Sequence, residues 1–174
     1  MAPPVLAVRE TLWGMEWSAH AVPRAYTLEL QSFFPTADLG TYLIVPTCQR
    51  AVVDLVPVGE AQDQEKDACL ERFVGWAKEV CTRLLAAGHA CDYVDPCSGM
   101  LMLNRDCQHV YGEVDALTTL LQYKTTNTGC CKVVHHPSWG TAVYPATLFT
   151  SAPPEALQRA VQQAERAIKA DAGQ

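Results

Sequence analysis

The sequence predicts an α+β fold in which a largely antiparallel sheet packs with helices. Three observations carry this. Two segments, 62–87 and 155–170, hold apolar residues at helical spacing over lengths no ordinary strand reaches. Short alternating or continuous apolar runs, bounded by turn residues, recur at 25–34, 41–47, 51–58, 91–94, 100–103, 130–134 and 141–150. The order is three strands, a long helix, two strands, a short helix, two strands and a final helix, and strands grouped in this way suggest a sandwich of the α+β class.

Each element has its own reason. Residues 1–24 read as an irregular N-terminal segment. "AYTLELQSFF" (25–34) alternates, with Tyr26, Leu28 and Leu30 opposite Thr27, Glu29 and Gln31, and reads as a half-buried strand. "TYLIVPT" (41–47) is a short apolar run, the pattern of a fully buried strand. "AVVDLVPV" (51–58) is a third strand, placed at an edge by Pro57. From Gln62 to Ala87, Leu70, Phe73, Val74, Ala77, Val80, Cys81, Leu84 and Leu85 form a wide apolar face, and Gly88 is the stop.

"CDYV" (91–94) and "MLML" (100–103) read as strands joined by the turn "DPCSG" (95–99), in which Pro presets φ and Gly accepts φ > 0. Val114, Leu117, Leu120 and Leu121 predict a short helix over 113–123. "KTTNTG" (124–129) reads as a polar loop. "CCKVV" (130–134) and "TAVYPATLFT" (141–150) read as a strand pair around "HHPSWG". Ser151 is the expected cap of a last helix with Pro153 and Pro154 at its start.

The 174 residues suit one domain, taken as 25–174. A hydrophobic content of 49% with 18% charged residues excludes a disordered chain. A net charge of −6 without a basic run argues against nucleic acid as a partner. No apolar run approaches the ~18 residues of a membrane span, so no membrane partner is expected. The N-terminus, with Pro3, Pro4, Glu10 and Glu16, has neither signal-peptide nor transit-peptide character.

Eight cysteines occur without a CxxC, which removes the main support for thioredoxin-like chemistry and common zinc knuckles. Cys69 and Cys81 fall on the apolar face of the long helix and read as core. The thiols are expected to be reduced, in an intracellular protein.

Cys130 and Cys131 stand side by side after Gly129. In an extended segment they point to opposite faces, Cys130 with Lys132 and Val134, Cys131 with Val133 and His135. Because lysine resists burial, the Cys130 face is expected to be open and Cys131 to pack inward. A cation two residues away favours the thiolate, and Gly129 leaves room above Cys130. The alternative is that both cysteines only pack, as most do.

Other clusters have plain structural readings beside the functional ones. His135 and His136 lack the four ligands of a zinc site and read as hydrogen-bonded structural residues. Asp95, Cys97 and Ser98 read as turn residues before they read as a catalytic set. Trp139 reads as packing, with a partner interface as the alternative.

The run "GCCKVVHHPSWGT" (129–141) with "LFTSAPP" (148–154), and upstream "YTLELQSFFP" (26–35), "VPTCQR" (45–50), "DLVP" (54–57) and "DYVDPCSG" (92–99), resembles the C-terminal domain of the CblD family, the methylmalonic aciduria and homocystinuria type D proteins. The blocks keep their order across roughly 25–155. The resemblance implies a nitroreductase-like fold without flavin chemistry. It implies an intracellular, non-enzymatic cobalamin (vitamin B12) trafficking chaperone and adaptor, working with a CblC-type partner that carries the cobalamin and supplying downstream cobalamin-dependent enzymes.

Cys130 matches the family's cobalt-ligating cysteine, beside Gly129 at the cofactor. Cobalt in a corrin ring keeps two axial positions, which a soft thiolate suits. A cytoplasmic location follows from the resemblance, with a mitochondrial form where an N-terminal extension exists. Two other functions stay open: a flavin-dependent nitroreductase-like enzyme, for which no phosphate-binding arginine cluster or Gly-rich loop is seen, and a thiol redox sensor.

Overall fold

The computed structural model of the chain describes residues 3–129 and 131–173. Its framework is a five-stranded sheet built from β1 (Leu6–Glu10), β2 (Glu16–Ala21), β3 (Leu43–Arg50), β4 (Cys91–Tyr93) and β7 (Val143–Thr150), in the order β1-β2-β3-β7-β4. Every neighbouring pair is antiparallel. Four helices complete the fold: α1 (Thr27–Phe33), α2 (Glu60–Ala86), α3 (Glu113–Leu120) and α4 (Pro154–Ala172). The α+β class with an antiparallel sheet is what the element order predicted.

Alternation along the central strands divides the core in two. Leu43 and Val45 of β3, with Ala146 and Leu148 of β7, meet Phe73, Trp76, Val80 and Leu84 of α2 and Leu157, Ala160 and Val161 of α4. Ile44 and Phe149 point the other way, to Leu30 and Phe33 of α1 and Ala116 and Leu120 of α3. With helices on both faces, β3 is buried from Leu43 to Gln49, which is why its sequence opens with the apolar run Leu43, Ile44, Val45 and Pro46 rather than alternating.

Several segments fold differently from their sequence reading. The N-terminal segment is not irregular, since it supplies β1 and β2; their few large apolar residues weaken the strand pattern. Residues 25–34 form a helix, not a strand. Tyr26, Leu30 and Phe33 are buried at spacings of four and three, whereas Leu28 is 87% exposed. The same residues satisfy both periods over so short a stretch.

Residues 51–58 form turns rather than an edge strand, tied down by Asp54, whose Oδ1 accepts from Val56 N (3.0 Å) and Thr141 Oγ1 (2.7 Å). The strand expected at 100–103 is reduced to a bridge between Val94 and Leu101. There the buried Asp92 carboxylate replaces ladder bonding, accepting from Leu103 N (2.9 Å) and Asn104 N (2.8 Å). Ser151 does not cap α4; its hydroxyl accepts from Ala90 N (2.9 Å), and Pro153 occupies the cap position.

The long helix ends as expected. Gly88 takes φ 84°, and His89 N donates to Leu84 O at 2.9 Å. That reversal brings the last turns of α2 beside β4, where Cys81 and Cys91 form a disulfide with Cα atoms 5.3 Å apart. The expectation of reduced thiols throughout is therefore corrected at this pair, while Cys48, Cys69 and Cys107 are buried free thiols. No helix among the described residues is long and apolar enough to cross a membrane.

Candidate functional site: a cysteine hairpin

The expected polar loop at 124–129 is half of a hairpin. β5 (Lys124–Thr128) pairs antiparallel with β6 (Cys131–His135), from Lys124 opposite His135 to Thr128 opposite Cys131. β6 was expected to pair with β7; it pairs instead with β5, whose three threonines suit a pleated strand. Only Gly129 and Cys130 lie between the two strands in the chain. Gly129 takes φ 62°, the backbone state that tight hairpins of this length require, and a Cβ placed there would meet nothing within 4 Å. Cys130 itself lies outside the described residues.

The faces of β6 are reversed from expectation. Cys131 is exposed rather than packed inward. Val134, on the opposite face, is buried in a cluster with Leu117 of α3, Cys48 of β3 and Val143 of β7. Lys132 shares that face near the margin, and its ammonium binds Asp115 of α3 at 2.7 Å. The hairpin is held at its base and along one side by α3, while Thr128, Gly129 and Cys131 near its tip are exposed. Lysine can share a buried side's margin because its long stem carries the charge outward.

The base is fixed by His136. Its Nδ1 accepts from the backbone N–H groups of Ser138 and Trp139, both at 3.2 Å, which leaves the proton on Nε2 to donate to Glu16 of β2 at 3.0 Å. Trp139 stacks on the imidazole with ring centroids 3.8 Å apart, so its packing role is the one observed. His135 Nε2 and Thr126 Oγ1 are 2.8 Å apart across the hairpin. Among the described residues no three His, Cys, Asp or Glu side chains are grouped to hold a metal ion.

The Asp95–Gly99 segment is the turn its sequence predicted. Asp95 accepts from Cys97 N (3.1 Å) and Ser98 Oγ (2.8 Å), and Gly99 takes φ 73°. Beside the hairpin, a groove of about 530 Å³ is lined by Leu55, Val56, Lys66, Cys131, Val133 and Pro145, among others.

Two polar clusters escaped the sequence reading. His20 has a partner, Ser18, at 2.9 Å on the same strand; both are buried, and burial lowers the histidine's pKa. Their i, i+2 spacing was the available signal. The other is Glu113, the first residue of α3. Its carboxyl is buried against Thr147 of β7, and burial raises it to about 7. A glutamate in a helix's first turn ordinarily faces solvent, so nothing in the sequence marked it.

The family model described as methylmalonic aciduria and homocystinuria type D protein matches residues 9–163, from β1 into α4. The human cobalamin trafficking protein CblD is 30% identical over 141 residues, covering 81% of this chain and 48% of the human protein. The rat protein of the same name is 30% identical over 138 residues (79% and 47%), and the chicken protein 27% over 141 residues (81% and 48%). The chain thus spans about half the length of these relatives, and the hairpin with its Gly-Cys-Cys run falls inside the matched region. The chain belongs to the methylmalonic aciduria and homocystinuria type D protein family.

Proposed function

We propose that this protein is a non-enzymatic cobalamin trafficking adaptor whose Cys130 thiolate takes an axial position on the cobalt of cob(II)alamin held by a CblC-type partner. Family membership supports the cargo, since the curated relatives are named for cobalamin trafficking. The observation that carries the assignment to Cys130 is the hairpin. A two-residue connection at the end of two strands ~4.8 Å apart is narrow enough to approach a corrin along its axis.

The chemistry is simple ligation. The Cys130 thiol gives its proton to solvent, and the sulfur donates an electron pair to cobalt(II); no electron is transferred. Lys132 supports the anion from two residues away, although Asp115 shares its charge. Cobalamin is cargo shared with the partner, and no flavin takes part. The thiolate complex then serves hand-over to cobalamin-dependent enzymes in the cytoplasm.

The test is to mix the protein with a CblC-type partner loaded with cob(II)alamin and record the absorption spectrum. A thiolate-type spectral change with the native protein and none with Cys130→Ser is expected. The same change in both would contradict the assignment. A purified protein with bound flavin would favour the nitroreductase-like alternative, and oxidation of Cys130 with no cobalamin requirement the redox sensor.

A further inference from the structure

The Glu113 carboxyl enters the core where α3 meets β7. Its Oε2 accepts from Thr147 Oγ1 at 2.5 Å. Its Oε1 is buried with no hydrogen-bond partner, and so is the Tyr111 hydroxyl two residues earlier. The titratable groups facing Glu113 are the Cys48 thiol from β3, with Glu16 of β2 beyond it, and the Tyr111 hydroxyl, with Tyr26 and Glu29 at α1 beyond it. None of these is a cation, and no ion pair among the described residues includes Glu113. A carboxylate in this position has hydrogen bonds from Thr147 alone and no cation to offset its burial, so burial prevails and the surroundings favour the neutral acid.

The rest of α3 connects this point to the hairpin. Asp115 binds Lys132, and Leu117 packs on Val134, two and four residues on from Glu113. α3 is therefore bracketed, with β7 on one side and β6 on the other. We propose that Glu113 is a positioning residue for the cysteine hairpin: its carboxyl pins the first turn of α3 to Thr147, and α3 in turn sets the place of β6, the strand that follows Cys130 in the chain. When Glu113 gives its proton to solvent, the anion leaves the core, the first turn of α3 follows, and the hairpin loses its side support. The functional meaning rests on the reading of Cys130 as the cobalt ligand, but the structural test does not.

Hydrogen exchange of the full chain between pH 5 and pH 8, corrected for intrinsic chemistry, reads the coupling directly. Opening of the β5–β6 ladder should increase with pH up to about 7, by at most about tenfold per pH unit, and level off above it. Glu113→Gln keeps a neutral side chain and should abolish that dependence. Glu113→Ala should leave the hairpin poorly protected at every pH, with the β3–β7 ladder unchanged.

Hairpin protection in the native chain that ignores pH, or a pH dependence that survives in Glu113→Gln, overturns the proposal. In a second arm, with partner-bound cob(II)alamin, Glu113→Ala should weaken the thiolate signal severalfold and Glu113→Gln should restore it. If the exchange results hold and no variant, nor the native protein, shows that signal, Glu113 keeps its positioning role and the cobalt reading fails.

Discussion

At Gly129 one backbone angle sets the geometry of the whole hairpin. With φ at 62° and open space around the missing Cβ, Gly129→Ala meets no clash and bears only the conformational cost, about 1 kcal/mol. Chemical denaturation should show that loss, and Gly129→Asn a smaller one. The sequence pattern misjudged Cys131, which is exposed and not packed inward. Alternation correctly separates Cys131 from Lys132 and Val134, but which face is covered depends on where α3 lies, and that is not local information. Because Cys131 is exposed beside the groove and not packed into the core, Cys131→Ser should retain the cobalamin spectral change that Cys130→Ser loses. The Lys132–Asp115 pair is about half exposed, so Asp115→Asn should cost under ~1 kcal/mol of global stability in denaturant melts.

At the scale of elements, α3 joins the hairpin to the sheet. Leu117 is fully buried between Val134, Cys48 and Val143, and Leu117→Ala should cost 2–5 kcal/mol, as a cavity-forming core truncation does. The expected measurement is a denaturant midpoint shift with the slope unchanged. Long elements were legible in the sequence: α2 and α4 repeat their apolar spacing over several turns, so one period wins. Short ones were not. Residues 27–33 fit a strand and a helix equally, and burial of Phe33 beside Leu30 decides it. "KTTNT" has no apolar residue to mark a strand; only pairing with β6 makes it one. The strand expected at 100–103 is displaced by the Asp92 carboxylate, a long-range contact that no local pattern reveals.

For the whole molecule, the α+β class and the central buried strand follow from composition and element order, whereas strand partners depend on the tertiary arrangement of β5 and α3. Glu113 ties global stability to pH as well. Its folded value, about 7, lies above its ordinary 4.5, so the folded state holds the proton more tightly. The corresponding stability is fully present below pH 4.5 and is lost as pH rises to about 7. The change from this group is on the order of 3 kcal/mol. Glu113→Gln should remove that slope from stability measured between pH 5 and 8.

The same frame carries a two-residue connection, Gly129 and Cys130, between β5 and β6, and the relatives are named for cobalamin trafficking. X-ray absorption at the cobalt edge tests the link most directly, using cob(II)alamin on the CblC-type partner mixed with this protein. A sulfur neighbour of cobalt is expected with the native chain and with Cys131→Ser, and should vanish with Cys130→Ser. A cobalt shell of nitrogen and oxygen alone in the native complex, or a sulfur that persists without Cys130, would contradict the account.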